Sequence, residues 1–176
     1  MGRLQRRLKV AGALALGAVC LVTPVIQAKQ PELRADLDGR PIDPVQASSY
    51  FCHDFDFPQI HCFSTSADLD AALGEAISES SQGVVAAAFG PADYVTVYSL
   101  PTYAGSFAHL SQSYDALATI GWNDTISSYR ARNSRTGTFY EHWFAGGAKK
   151  NFCCNQNVPS LAAGVDNTFS SVYRTS

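Results

Sequence analysis

Positive charge is scarce in this chain and unevenly placed. Only 16% of the 176 residues are charged, with 13 Lys and Arg against 15 Asp and Glu. Arg3, Arg6, Arg7 and Lys9 crowd into the N-terminus. Beyond residue 28 there remain nine Lys and Arg and fifteen Asp and Glu, a net charge of −6 (9 − 15). That balance argues against nucleic acid and against anionic membrane as partners, because both attract basic surfaces. Catalytic signatures are also missing. There is no Gly-x-Ser-x-Gly, no His-Glu-x-x-His and no phosphate-binding loop. The histidines number four, and His109 and His142 fall in predicted strands, where a lone His is ordinarily structural. No enzymatic activity is expected. Trp122 and Trp143 read as core or corner aromatics rather than as a sugar platform.

Long apolar runs are limited to one. Val10 to Ile26 is uncharged, follows the basic N-terminus and leads to Ala28. It is short for a bilayer span and contains Gly and Pro, so residues 1–28 are expected to be a cleaved secretory signal, with no membrane insertion afterwards. A secreted or cell-envelope exterior location follows.

Four cysteines lie beyond that signal: Cys52, Cys62, Cys153 and Cys154. An even number in an exported chain favours disulfides over zinc, although Cys52-His53 and His61-Cys62 together offer two thiols and two imidazoles. Three connectivities are open. Neighbouring strand residues point to opposite faces, which favours crossed pairings over a vicinal Cys153–Cys154 bridge.

Residues 29–49 are polar, hold Pro31, Pro41 and Pro44, and read as a flexible leader. Residues 50–82 form a second segment. Phe51, Phe55, Phe57 and Phe63 around Pro58 suggest an aromatic hairpin, and Leu69, Leu73 and Ile77 give one apolar stripe on a helix capped by Thr65 or Ser66. Residues 84–176 change character again. Tyr94 to Tyr98 alternates as a half-buried strand, and short strands punctuated by Pro101, Gly105, Gly121, Gly147 and Gly164 predict a mainly β, antiparallel sandwich.

Two stretches in this last segment share one pattern. Asn123-Asp124-Thr125-Ile126-Ser127-Ser128 and Asp166-Asn167-Thr168-Phe169-Ser170-Ser171 each place two Asn/Asp residues, two free positions and Ser-Ser, 43 residues apart. A second repeat runs in phase. Tyr98 is followed by six residues and Gly105, and Tyr140 by six residues and Gly147. Four landmarks in one order, twice, indicate one structural unit used twice. Taken singly, either stretch reads as a loop whose side chains bond their own backbone. Taken as a phased pair, clustered short oxygen donors point to a hard cation such as Ca2+.

With these signatures, residues 92–175 resemble the βγ-crystallin family, in particular its bacterial, exported, calcium-binding members. The resemblance implies a two-Greek-key β-sandwich with Ca2+ as cofactor, at two sites between the paired Greek keys that stabilise the fold. Implied side-chain ligands are Asp124 and Asp166 for charge, Asn123 and Asn167 for amide oxygen, and Ser127 and Ser170 for hydroxyl. Implied backbone ligands are Thr125, Thr168, Ser99 and Glu141. With one or two carboxylates per ion the sites should be of modest affinity. Ser99 stands where the family often has Glu. Ala145 stands where the first copy has Tyr103, which allows the second turn a different shape. The alternative implied by the same resemblance is a secreted metallopeptidase inhibitor or small toxin, presenting a rigid loop to an extracellular protein.

Overall fold

The computed structural model describes residues 32–81, 94–133 and 135–175, and of residues 75–81 the backbone alone. The expected signal at 1–28 lies outside the described residues, and Ile77, at the end of the predicted helical stripe, falls in α1 with its backbone alone described. Strands run in the order β1 (Arg34–Leu37), β2 (Arg40–Ile42), β3 (Phe51–His53), β4 (Gln59–Phe63), β5 (Val95–Leu100), β6 (Ala104–Leu110), β7 (Ser128–Ala131), β8 (Gly137–His142), β9 (Gly146–Phe152), β10 (Asn157–Val158) and β11 (Ser171–Arg174). One α-helix, α1 (Ser66–Ser81), follows β4. Its N-terminus is capped by Thr65, whose Oγ accepts from Asp68 N at 3.2 Å, and Leu69 is fully buried.

The strands form two sheets, ordered β10-β7-β5-β6-β3-β4-β1-β2 and β11-β8-β9. The expected mainly β sandwich is what forms, and its two Greek keys exchange their third strands. The first key is β5, β6, the segment at Tyr114, and β7. Its Tyr114 leaves the first sheet and pairs with Val172 of β11, Tyr114 N to Val172 O at 2.8 Å and Val172 N to Tyr114 O at 3.0 Å. The second key is β8, β9, β10 and β11. Its β10 crosses the other way and pairs with β7, Asn157 opposite Arg130. Neither key completes its sheet without the other.

Period-2 alternation puts Val95, Val97, Ala108 and Leu110 on the inner face of the first sheet. They meet Phe139, Phe152, Phe169 and Val172, with Trp122, Ile126 and Tyr129 filling the space between. Phe139 stacks on Phe169 at 4.9 Å between centroids and contacts Phe152 at 4.8 Å.

The N-terminal leader departs from expectation. Residues 34–49 are not a flexible leader. β1 and β2 form a hairpin whose turn, Asp38-Gly39, has positive φ at both positions (49° and 77°), and residues 44–49 make a short 3-10 turn capped by Asp43. Asp38-Gly39 is a hairpin signal that the polar composition masked. The aromatic hairpin expected around Pro58 does form, as β3 and β4. β3 pairs in parallel with β6, and β1 in parallel with β4, so the hairpins extend the first sheet. The crossed disulfides are also overturned. Cys52 and Cys62 face each other across β3 and β4, Cα to Cα 4.1 Å, and are bonded. Cys153 and Cys154 are bonded to each other. They lie in a turn, with Cys154 at φ 53°, so the opposed directions of strand neighbours do not apply to them.

Asp54 fastens this extension to the keys. Fully buried, it accepts from Ser111 N (2.6 Å), Gln112 N (3.2 Å) and Tyr114 Oη (2.9 Å). Burial raises its pKa, and those hydrogen bonds oppose the rise. Ser111 O in turn accepts from Arg135 and Arg174, so one residue's backbone joins an acid to two guanidiniums.

On the other face of the first sheet, His53 and His109 stand side by side among Phe55, Phe107 and Tyr94. His109 Nδ1 is 3.0 Å from Thr96 Oγ1. Burial, with the nearby His61, lowers His53 to about 4, although Asp56 and Asp36 pull it up. Burial, with His53 and Arg132, lowers His109 to about 3. The folded state therefore keeps both rings neutral, whereas the unfolded chain protonates them near pH 6.5. Stability should be full above about pH 6.5 and fall as pH drops toward 4. Urea midpoints measured across that window check this, and His109→Phe should flatten the slope. A slope unchanged by that substitution would show that the ring does not titrate on unfolding.

Candidate metal centre

Each repeat builds the same hairpin. In the first, Thr102 and Tyr103 have φ of 57° and 62°; in the second, Phe144 and Ala145 have 55° and 60°. The two turns thus share a shape, even though Ala145 replaces the tyrosine. The ladder of each hairpin skips one residue, between Tyr98 and Leu100 and between Tyr140 and His142. Ser99 and Glu141 are the skipped residues, and a bulge leaves such a residue outside the regular pairing. Gly105 and Gly147 close the hairpins at φ 78° and 75°, where a Cβ would stand 2.3 Å from Ser99 Oγ or 3.0 Å from Glu141 Cβ.

The final Ser of each stretch clamps the hairpin of its own repeat. Ser128 Oγ donates to Leu100 O at 2.7 Å and accepts from Tyr103 N at 3.2 Å. Ser171 Oγ donates to His142 O at 2.7 Å and accepts from Ala145 N at 3.3 Å. Both serines are buried. Sequence reasoning noted them only as part of a pattern; their identical position in both copies was the available signal.

The second and fifth positions of each stretch reach across to the other repeat. Asp124 and Asn167 both adopt left-handed backbone, φ 53° and 55°, which short polar residues tolerate. Asp124 N donates to Phe169 O (2.9 Å), and Asn167 N to Ile126 O (3.1 Å). Ser170 Oγ donates to Asp124 Oδ1 at 3.2 Å, and Ser127 Oγ to Asn167 Oδ1 at 3.1 Å. The fifth residues are themselves fixed to the signature tyrosines, Ser127 N to Tyr98 O (2.9 Å) and Ser170 N to Tyr140 O (2.8 Å). A pseudo-twofold therefore relates two oxygen clusters.

The clusters differ in charge. The first joins Asp124 and Ser170 with Glu141 and Thr168, and opens into a cleft of about 280 Å3 also lined by His142 and Asn167. Glu141 Oε2 accepts from Ala148 N at 3.1 Å. The second joins Asn167 and Ser127 on the side of Ser99 and Thr125, and its crossing residue is an amide. Ser106 Oγ donates its one proton to Ser48 O of the N-terminal extension and lies 3.1 Å from Ser99 Oγ, from which it can accept. The first-position residues do not make the crossing. Asn123 donates to Asp124 Oδ2 (2.7 Å) and accepts from the Trp143 indole (3.0 Å). Asp166 holds its Oδ1 buried and without a hydrogen-bond partner, as does Thr125 with its Oγ1. The two stretches carry their acids at different positions, Asp124 second and Asp166 first, and of the two only Asp124 meets a fifth-position hydroxyl.

The residues suit a hard cation. Two oxygens each about 2.4 Å from one ion lie within about 4.8 Å of each other, so the 3.1 and 3.2 Å pairs can share one. Orphaned buried oxygens in both stretches are what an oxygen-seeking ion would satisfy. Among the described residues, no group of three or more His, Cys, Asp or Glu side chains comes together, so a cation here would rest largely on hydroxyl, amide and backbone oxygens.

The chain is similar in structure to βγ-crystallin domains. A βγ-crystallin from Ciona intestinalis is 22% identical, with 46% of this chain covering 98% of that one at a TM-score of 0.43. A βγ-crystallin domain from Flavobacterium johnsoniae is 27% identical, with 48% and 96% covered and a TM-score of 0.42. A βγ-crystallin from an archaeon is also 27% identical, with 48% and 99% covered and a TM-score of 0.40. No family model and no curated protein matches the chain. The side chains at the two hairpin tips differ. Tyr103 folds under Arg130, whose guanidinium carbon sits 3.8 Å from the ring centroid, whereas Trp143 and Phe144 are 53% and 69% exposed.

Removing either clamp hydroxyl leaves a buried carbonyl and a turn N–H short of a partner. Ser171→Ala should cost about 2 kcal/mol, and Ser128→Ala a similar amount because the positions are equivalent. Denaturant midpoints read this directly, and unchanged midpoints would show that the hairpins hold without the clamps.

Proposed function

We propose that this protein is an exported Ca2+-binding domain whose ions tie its two Greek keys together. The observation that carries the reading is the reciprocal crossing: the second-position oxygen of each stretch meets the fifth-position hydroxyl of the other, with a residue skipped by the ladder beside it. The first site would take the Asp124 carboxylate, the Ser170 hydroxyl and the backbone oxygens of Glu141 and Thr168. The second would take the Asn167 amide oxygen, the Ser127 hydroxyl and the backbone oxygens of Ser99 and Thr125. Ligands drawn from both repeats make binding depend on the folded pair, so the ion stabilises that pair by mass action. The basic, then apolar N-terminus and the buried Cys52–Cys62 bridge support export to an oxidising compartment.

The sites are unequal on this reading, because only the first has a carboxylate at the crossing. Millimolar Ca2+ should raise the Tm of the oxidised protein over that in EDTA by about 5 °C, with Mg2+ giving much less. Asp124→Ala with Asn167→Ala should abolish the rise; no rise and no calorimetric heat in the unaltered protein would reduce both stretches to turns. A second prediction separates the sites. Asn167→Asp should tighten the weaker site by about tenfold, and Asp124→Asn should weaken the stronger one by a similar factor, both read by calorimetric titration. Equal effects of Asp124→Ala and Asn167→Ala on the two binding steps would contradict the asymmetry.

A further inference from the structure

The two disulfides occupy opposite environments. Cys52 and Cys62 are 1% and 0% exposed, and belong to the core with Ala47, Val97 and Ala108. Cys153 and Cys154 are both exposed, on the turn that carries the chain from β9 in the second sheet to β10 in the first. Thiol–disulfide exchange requires an attacking sulfur to reach a disulfide sulfur from outside. Core packing denies that approach to Cys52–Cys62, while the turn leaves it open at Cys153–Cys154.

The turn does not depend on its sulfurs. Cys154 N donates to Arg135 O (3.1 Å), Gln156 N to Cys153 O (2.9 Å) and Ala131 N to Gln156 O (2.9 Å), while the Gln156 side chain accepts from Tyr129 Oη (3.0 Å). None of these bonds uses a sulfur atom. A bridge between sequence neighbours also closes almost no loop, so its entropic contribution to stability is small. The residue pair is thus positioned for chemistry that the fold tolerates.

We infer that Cys153–Cys154 is a thiol-exchange site, opened by a dithiol reductant while the protein stays folded and the core bridge stays intact. One thiolate of the reductant attacks a sulfur of the pair, forming a mixed disulfide and releasing the neighbouring cysteine as a thiolate, which takes a proton from water. The second thiol of the reductant, as thiolate, then attacks the reductant's own sulfur in that mixed disulfide and releases the other cysteine. Two electrons pass from the reductant, which becomes a disulfide, to the protein, which gains two adjacent thiols. Adjacent thiols form a chelating pair for a thiophilic centre, a role separate from the hard-cation clusters above.

The test uses the full oxidised chain lacking residues 1–28, without denaturant. Graded dithiothreitol is followed by alkylation with N-ethylmaleimide and mass spectrometry of the intact protein and its peptides. The expected result is two maleimides on Cys153 and Cys154, acquired at least about 100-fold faster than any on Cys52 or Cys62, with circular dichroism unchanged. After reduction, phenylarsine oxide should bind once per chain, and Cys153→Ser with Cys154→Ser should abolish both signals. The inference is overturned if both bridges open together, if Cys52–Cys62 opens first, or if labelling appears only with loss of the folded spectrum.

Discussion

Two backbone hydrogen bonds between loops set the position of almost everything else. Asp124 N to Phe169 O and Asn167 N to Ile126 O lash the stretches together about a pseudo-twofold. Each stretch ends in the residues that begin or adjoin a strand, so joining the loops also registers β7 against β11 through the sheets they belong to. Ile126 and Phe169, whose carbonyls accept these bonds, are themselves buried. Their burial anchors the polar loops to the apolar core, which is how a site made of short hydrophilic side chains acquires a fixed geometry. The exchange of third strands then follows, because a loop bonded to the opposite repeat must deliver its flanking chain there too.

The division of labour within each stretch is unusually clean for six residues. Position two crosses to the other repeat, position four plugs the core, position five offers a hydroxyl at the crossing, and position six holds the hairpin of its own repeat. Positions one and three are used differently in the two copies: Thr168 Oγ1 donates to Val165 O at 2.8 Å, whereas Thr125 Oγ1 is buried without a hydrogen-bond partner. Asn123 is engaged by Trp143 and Asp124, whereas one oxygen of Asp166 is buried alone. A swap of Asn and Asp between adjacent positions thus converts two copies of one motif into two oxygen clusters of different charge.

Features whose cause is local were legible in the sequence. The Tyr-x6-Gly hairpins, the oxygen-rich stretches, the aromatic hairpin and the Thr65 cap depend on neighbours a few residues away, and the structure contains them where spacing put them. Features whose cause is distant were not. β1 and β2 have no apolar alternation of their own and exist because β4 supplies a parallel partner for β1. The disulfide pattern follows from the register of β3 against β4, which composition cannot convey. Which acid reaches the crossing goes with backbone φ at Asp124 and Asn167, which counting carboxylates per stretch does not convey.

The parallel docking of β3 onto β6 has a colloidal consequence. A Greek-key sheet ending at β6 would present a seven-residue strand with open N–H and C=O groups, a template for edge-to-edge growth into polymers. The extension occupies that edge and moves the boundary outward to β2, three residues long and carrying Arg40 and Pro41. The opposite boundary is the two-residue β10, and the second sheet ends at β9 with Lys149 and Lys150. Short length, a missing donor and lysine charge each discourage a foreign strand, so the N-terminal segment replaces a long open edge with a short, protected one.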